Sequence, residues 1–286
     1  MIRNRLKVCL IATLALIACE PEPLPIHIEL PDEQLVVSSL LIPGQGVTIA
    51  LTRSFSALNG GVTSDSSLLA SLLVREAEVL IIENGKDTFN LQMVQVGIFA
   101  SVDVNPIPGN VYDLIATDLQ TGTRIEAQSV VTEQVQFTDT KGTLIPAGDD
   151  SLVNVGYSFD PHPDEEFYMV NVQKFSIDLN QGNLGIDLDA VVPRTFTHLV
   201  TKTDPGSQEI SDEFIFIVNE DFFTGDTLLI SLASIGPTYY EYLEKRNDTR
   251  FGPSFVSEPY NAPSNVENGL GFFNLHASDN QIIIVE

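Results

Sequence analysis

Two places in this 286-residue chain put reactive side chains at a spacing that could do chemistry. The first is Cys19, preceded by Leu16-Ile17-Ala18, with a branched residue three positions before it and a small one immediately before. A cysteine sulfur is nucleophilic as the thiolate. At Cys19 it could accept a diacylglycerol group, with Ala18 small enough for a peptidase to reach the preceding bond. The second is the acidic run Asp160-Pro161-His162-Pro163-Asp164-Glu165-Glu166. Carboxylate oxygens are hard ligands of the kind calcium takes, which makes Asp160, Asp164, Glu165 and Glu166 the candidate metal ligands. The run lacks the Asp-x-Asp-x-Asp-Gly spacing, and a solvated loop between strands is the plainer reading.

No other chemistry is signalled. There is no Gly-x-Ser-x-Gly elbow, no HExxH and no CxxC, so nucleophilic and zinc catalysis have no motif to rest on. His27, His198 and His276 stand in strand-like contexts that suit partly buried structural roles. Gly269-Leu270-Gly271 is followed by a strand pattern rather than a helix, so it reads as a turn or bulge and not as a phosphate cradle. With 39 Asp and Glu residues, a carboxylate pair for glycoside hydrolysis can be chosen at will, which removes its weight. No catalytic residue and no organic cofactor is assigned. The chain has no Trp, and Tyr239, Tyr240 and Tyr242 read as the inner face of a helix. A calcium- or glycan-binding surface module is therefore the alternative reading.

The context of Cys19 is more specific. Arg3, Arg5 and Lys7 precede the 11-residue apolar run Val8 to Ala18, the basic and apolar regions of an export signal. A membrane-spanning helix needs roughly 20 apolar residues, so this run is too short to cross. With the cysteine at its end it resembles a bacterial lipobox, which makes residues 1–18 a signal peptide and Cys19 the lipidated first residue of the mature chain. Each buried methylene contributes about 0.8 kcal/mol, so two or three acyl chains would anchor the protein persistently. Residues 19–25, with Pro21, Pro23 and Pro25 alternating with Glu20, Glu22 and Leu24, favour a polyproline II tether. At about 3.1 Å per residue it lifts the folded body roughly 20 Å from the lipid.

Composition narrows the partners. The chain carries 14 Lys+Arg against 39 Asp+Glu, and losing the three basic leader residues moves its charge from −25 to −28. Phosphate neutralisation needs clustered Lys and Arg, so a nucleic-acid binder is excluded, and an anionic membrane would repel the body. Cys9 lies in the leader, leaving no pair for a disulfide. A hydrophobic content of 43% excludes disorder throughout.

Beyond the tether, short period-two runs recur: 27–30, 35–38, 47–53, 78–82 and 111–115, with alternation through 123–137 and further strands at 152–159, 167–172, 214–218, 227–233 and 281–285. Asn84-Gly85 reads as a hairpin tip. A short helix is expected over 65–78 and another over 238–248, where Pro237 opens a helix-forming run. The breaker-rich stretch 138–150 reads as a boundary. The expected fold is all-β: two β-sandwich domains, immunoglobulin-like or related, at 26–140 and 150–286, with one or two short helices.

Three tail segments, Tyr239-Tyr240-Glu241-Tyr242-Leu243, Phe255-Val256-Ser257-Glu258-Pro259 and Ser264-Asn265-Val266-Glu267-Asn268-Gly269-Leu270-Gly271-Phe272-Phe273, resemble the closing signature of the domain-of-unknown-function 4249 lipoproteins. Residues 47–54 and 74–81 resemble that family's early strands, and Gly109-Asn110-Val111-Tyr112-Asp113-Leu114 its Gly-x-x-Tyr-x-Leu segment. Asn268 stands where many relatives have Gly. The resemblance implies an all-β outer-membrane lipoprotein of Bacteroidota, often encoded beside a TonB-dependent transporter. Of functional residues it carries over Cys19 alone. Glu20 and Glu22 resemble the acidic signal that sends such lipoproteins to the outer leaflet, which favours the cell surface slightly over the periplasmic face. The function expected is a non-catalytic accessory subunit of an outer-membrane barrel complex, touching the membrane only through lipid.

Overall fold

In a strand, alternate side chains point to opposite faces, so a period-two sequence buries one face and wets the other. The computed structural model, which describes residues 32–42, 46–54, 72–147, 150–174, 196–204, 206–216, 222–251 and 262–286, follows that rule. All of these but Asp32 belong to one unit of the chain. Its first strands are β1 (Leu35–Ile42), β2 (Gly46–Arg53), β3 (Ala77–Glu83), β4 (Asp87–Asn90), β5 (Gln92–Gln95), β6 (Ile98–Ser101), β7 (Val111–Asp118) and β8 (Arg124–Val130). Then come β9 (Phe137–Ala147), β10 (Asp150–Phe159), β11 (Phe167–Lys174), β12 (Phe196–Thr201), β13 (Ile210–Phe216) and β14 (Thr227–Ser234). Helix α1 (Pro237–Phe251) and strands β15 (Val266–Glu267), β16 (Leu270–Phe272) and β17 (Asp279–Ile284) complete the order.

Among the described residues four sheets form, in the orders β16-β1-β2-β6-β5, β15-β8-β7-β3-β4, β13-β10-β9 and β12-β11-β14-β17. The first two share one core, in which Val37, Ile49, Leu51 and Phe99 meet Ile81, Tyr112, Leu114 and Ile125. The other two share a second, built on Val155, Phe159 and Phe216 against Val170, Ile230 and Leu232. The protein is thus all-β, with sheets packed in sandwich-like pairs. In β8, Ile125, Ala127 and Ser129 face inward while Arg124, Glu126, Gln128 and Val130 are exposed. Strand β14 breaks the alternation because Ala233, on its outer face, is buried with Met169 and Leu243 where α1 packs. Pro237 is the first residue of α1, where its missing N–H is not needed, and Gly236 O accepts the Tyr240 amide at 3.0 Å.

Several sequence expectations change. The breaker-rich stretch 138–150 is mostly strand: β9 covers it as far as Ala147 and pairs with β10 from Asp150↔Ala147 to Phe159↔Phe137. Pro146 fits because β9 is an edge strand, where it loses no ladder bond, and Gly142 O accepts the Glu286 amide at 3.0 Å. The strand expected at 214–218 starts earlier, at Ile210, and Val218 lies outside the described residues. The alternation through 123–137 divides between β8, ending at Val130, and β9, starting at Phe137. The strand at 27–30 and residues 65–71 of the helix expected at 65–78 lie outside the described residues; in the described half of that stretch no helix continues, because Leu73 bridges Thr52 and Ala77 and Glu78 already belong to β3.

Candidate functional site

The loop between β10 and β11 holds the acidic run. Its carboxylates do not converge. Asp160, Asp164 and Glu166 are exposed, and only Glu165 is half-buried. The Glu165 carboxyl accepts the Glu133 amide, yet burial wins and holds its pKa above the ordinary carboxylate value. The loop is secured through its backbone. Lys202 Nζ donates to the carbonyls of His162 (3.2 Å) and Pro163 (3.1 Å), and Tyr168 OH donates to Glu165 O at 2.9 Å. Among the described residues there is no group of three or more His, Cys, Asp or Glu side chains that could hold a metal ion.

The Gly-x-x-Tyr-x-Leu segment is a corner. Tyr112 is fully buried on the inner face of β7, and its hydroxyl lies 2.8 Å from Glu83 Oε1 and 3.0 Å from Asn105 O while accepting the Ile107 amide at 3.1 Å. Asn110 Nδ2 donates to the same Glu83 oxygen at 2.6 Å. Burial, together with the Glu83 carboxylate, raises the tyrosine's pKa, so the hydroxyl keeps its proton. Leu114, two residues on, enters the core.

The tail signature is a clasp. The Asn265 side chain donates to Gln128 O (2.9 Å) and Phe273 O (2.7 Å) and accepts the Phe273 amide (2.9 Å), imitating a strand neighbour. Between its ends, β15 pairs with β8 in one sheet and β16 pairs with β1 in the other, so the segment ties both layers of the first core. Asn268 has φ 58, a left-handed conformation that Asn tolerates better than most other side chains. Ser39 Oγ then accepts the Asn274 amide at 2.8 Å, and Ser129 Oγ accepts the Leu275 amide at 2.9 Å.

The second core has its own cluster. His198 on β12 lies 3.1 Å from Asp212 Oδ2 on β13 and stacks on Phe214 with ring centroids 4.6 Å apart. Behind them, the buried Tyr157 hydroxyl finds no partner at full hydrogen-bond geometry, although the Asp212 carboxylate is near enough to act on it. Burial first, and then the Asp212 carboxylate, push its pKa up. Tyr239 and Tyr242 pack against Phe272 with centroids 5.1 and 5.2 Å away, and Tyr240 packs on Phe167 at 4.8 Å. All three are half-buried, as the inner face of a helix should be. Sequence reasoning missed Asp118, buried without exposure against Arg53, and the signal for it existed: Tyr112, Leu114, Ala116 and Asp118 share one face of β7.

These motifs thus form structural joints of an all-β protein. The chain belongs to the family described as Domain of unknown function (DUF4249), whose model matches residues 21–282. Comparison with curated proteins finds no match. His27 and Cys19 lie outside the described residues.

Proposed function

We propose that the protein is a non-catalytic lipoprotein, anchored in the outer membrane through acyl chains on Cys19, that serves as an accessory subunit of an outer-membrane barrel complex of the TonB-dependent transporter type. The observation that carries the reading is Leu16-Ile17-Ala18-Cys19 at the end of a short apolar run behind Arg3, Arg5 and Lys7. One further feature supports it. The polar side chains of the family segments are engaged in holding strands together, as in a protein whose surface rather than a pocket does the work. The acidic tether residues Glu20 and Glu22 favour the outward face.

The test has two parts. Mass spectrometry of the purified chain is expected to find residues 1–18 removed and Cys19 carrying acyl chains. Mild detergent extraction is expected to recover a barrel protein with it. An unmodified Cys19 with the leader in place, or recovery as a lone protein in several mild detergents, overturns the reading.

A further inference from the structure

In a chain of net charge −25, the segment 88–102 carries no charged side chain. It contains β5, the tip Val96-Gly97 and β6. Strand β6 behaves ordinarily, with Phe99 in the first core. Strand β5 does not: Gln92, Met93, Val94 and Gln95 are all exposed, as is Val96 at the tip. Met93 is 50%, Val94 56% and Val96 41% exposed. Successive residues of a strand point to opposite faces, so Met93 and Val94 leave both faces of β5 apolar and wet. The hairpin is nevertheless held firmly. Gly97 O accepts the Leu51 amide at 2.8 Å, and buried Leu91 donates its amide to Val79 O at 2.9 Å.

Exposed edge strands are normally guarded by charge, by bulges or by being short. Strand β5 is the last of its sheet, only four residues long, and its register shifts between Met93 and Gln95. It therefore resists the addition of another strand, while its apolar side chains carry no charged guard. Beyond the limits of the segment Lys86, Asp87 and Asp103 are exposed, and the chain as a whole carries the net negative charge. A second copy would bring the same negative charge and be repelled, whereas a basic partner would be attracted.

We propose that the β5–β6 hairpin is a docking surface for a different protein, one that offers an apolar groove to Met93, Val94 and Val96 and, beyond that groove, a basic surface to this acidic chain. The proposal rests on the docking role inferred above and names the surface and the chemistry of the partner. Because the hairpin is held rigid before binding, little ordering entropy is lost on contact.

The test uses the full-length lipidated chain in the envelope of the cells that make it, with a photoreactive benzophenone side chain in place of exposed Gln92. Irradiation is expected to give one adduct, to an apolar segment flanked by basic residues on another protein. Adding Val94→Glu should reduce its yield about tenfold, as loss of a central apolar anchor does, with thermal stability unchanged. Should Val94→Glu lower stability, the uncharged pair Met93→Gln and Val96→Thr must reduce the adduct in its place. Adducts to a second copy or to another part of the same chain, no adduct at all, or a yield indifferent to these substitutions would each overturn the proposal. An adduct of the expected kind on a protein that is not an outer-membrane barrel supports this surface and defeats the accessory-subunit reading. Undiminished co-purification of the barrel with the Val94→Glu chain does the reverse.

Discussion

Arg53 Nη2 lies 2.6 Å from Asp118 Oδ2, joining the end of β2 in one sheet to the end of β7 in the facing sheet. The carboxylate side chain has no exposed surface, while the arginine keeps 17% of its own. Asp118 Oδ1 also accepts the Gln120 amide at 2.9 Å, and Arg53 reaches Gln120 Oε1 at 3.2 Å. The pair is thus a hydrogen-bonded joint at the rim of the first core.

Removing one member of such a pair leaves the other uncompensated, at a cost of about 3–5 kcal/mol for fully buried partners. The two halves are unequal here. Arg53→Met strands a carboxylate that cannot reach water, whereas Asp118→Asn strands a guanidinium that can. Chemical denaturation is expected to show both variants destabilised, Arg53→Met by about 3 kcal/mol or more and Asp118→Asn by less. Equal costs would mean that the exposed fraction of Arg53 is irrelevant.

The same joint has an acid signature. Burial pushes the Asp118 carboxyl up, but the Arg53 hydrogen bond, the Gln120 amide and the arginine charge outweigh it and hold the pKa below 3.8. The unfolded chain then binds more protons than the folded one just below pH 3.8, so stability contributed by the pair is present above that pH and is lost as pH falls through the folded value. His276 adds a separate window. Burial lowers its pKa from 6.5 to about 4, so between these values the unfolded chain again binds the extra proton. Stability should fall by about 3 kcal/mol as pH drops from 6.5 to 4. Denaturation across pH 4–7 is expected to lose this slope in His276→Gln and to keep it in Asp118→Asn.

Two tyrosines separate satisfied from unsatisfied burial. The Tyr112 hydroxyl has three partners, whereas the Tyr157 hydroxyl has none at full hydrogen-bond geometry. Deleting a hydroxyl that leaves buried partners unpaired costs about 1–3 kcal/mol, while deleting an unpaired one removes a desolvation penalty. Tyr112→Phe should therefore lower the thermal midpoint and Tyr157→Phe should leave it unchanged or raise it. A Tyr157→Phe loss as large as that of Tyr112→Phe would require a partner for that hydroxyl.

These joints also explain what the sequence could and could not reveal. Period-two runs expose the inward face of β7 directly, and with it Tyr112 and Leu114. A charged residue at a further inward position, Asp118, demands a buried partner, but no local pattern identifies Arg53, 65 residues earlier. Likewise nothing local marks the role of Asn265, which depends on Gln128, 137 residues away. Breakers at Gly142 and Pro146 read as a loop because edge position, which makes them tolerable, is a property of the sheet and not of the segment. The acidic run is plain in the sequence, whereas its divergence depends on Lys202 and Tyr168 gripping the backbone and on Glu165 turning to Glu133.

The tail clasp makes the last prediction, because one glycine in it is required twice over. Gly271 has φ 98, and a Cβ there would stand 1.9 Å from Val37 O on the neighbouring β1. Gly225 has nearly the same backbone, φ 95, with open space where its Cβ would be. Replacing both separately by Ala divides the two costs. Gly225→Ala bears only the left-handed conformation, about 1–2 kcal/mol. Gly271→Ala bears that and must also push β16 off β1, where Gly271 pairs with Val37. Equilibrium denaturation is expected to show Gly271→Ala as the more damaging by at least about 2 kcal/mol, with hydrogen exchange accelerating at Val37 and Phe272. Equal losses would mean that backbone strain alone, and not the close approach of the clasp to β1, is why a glycine stands there.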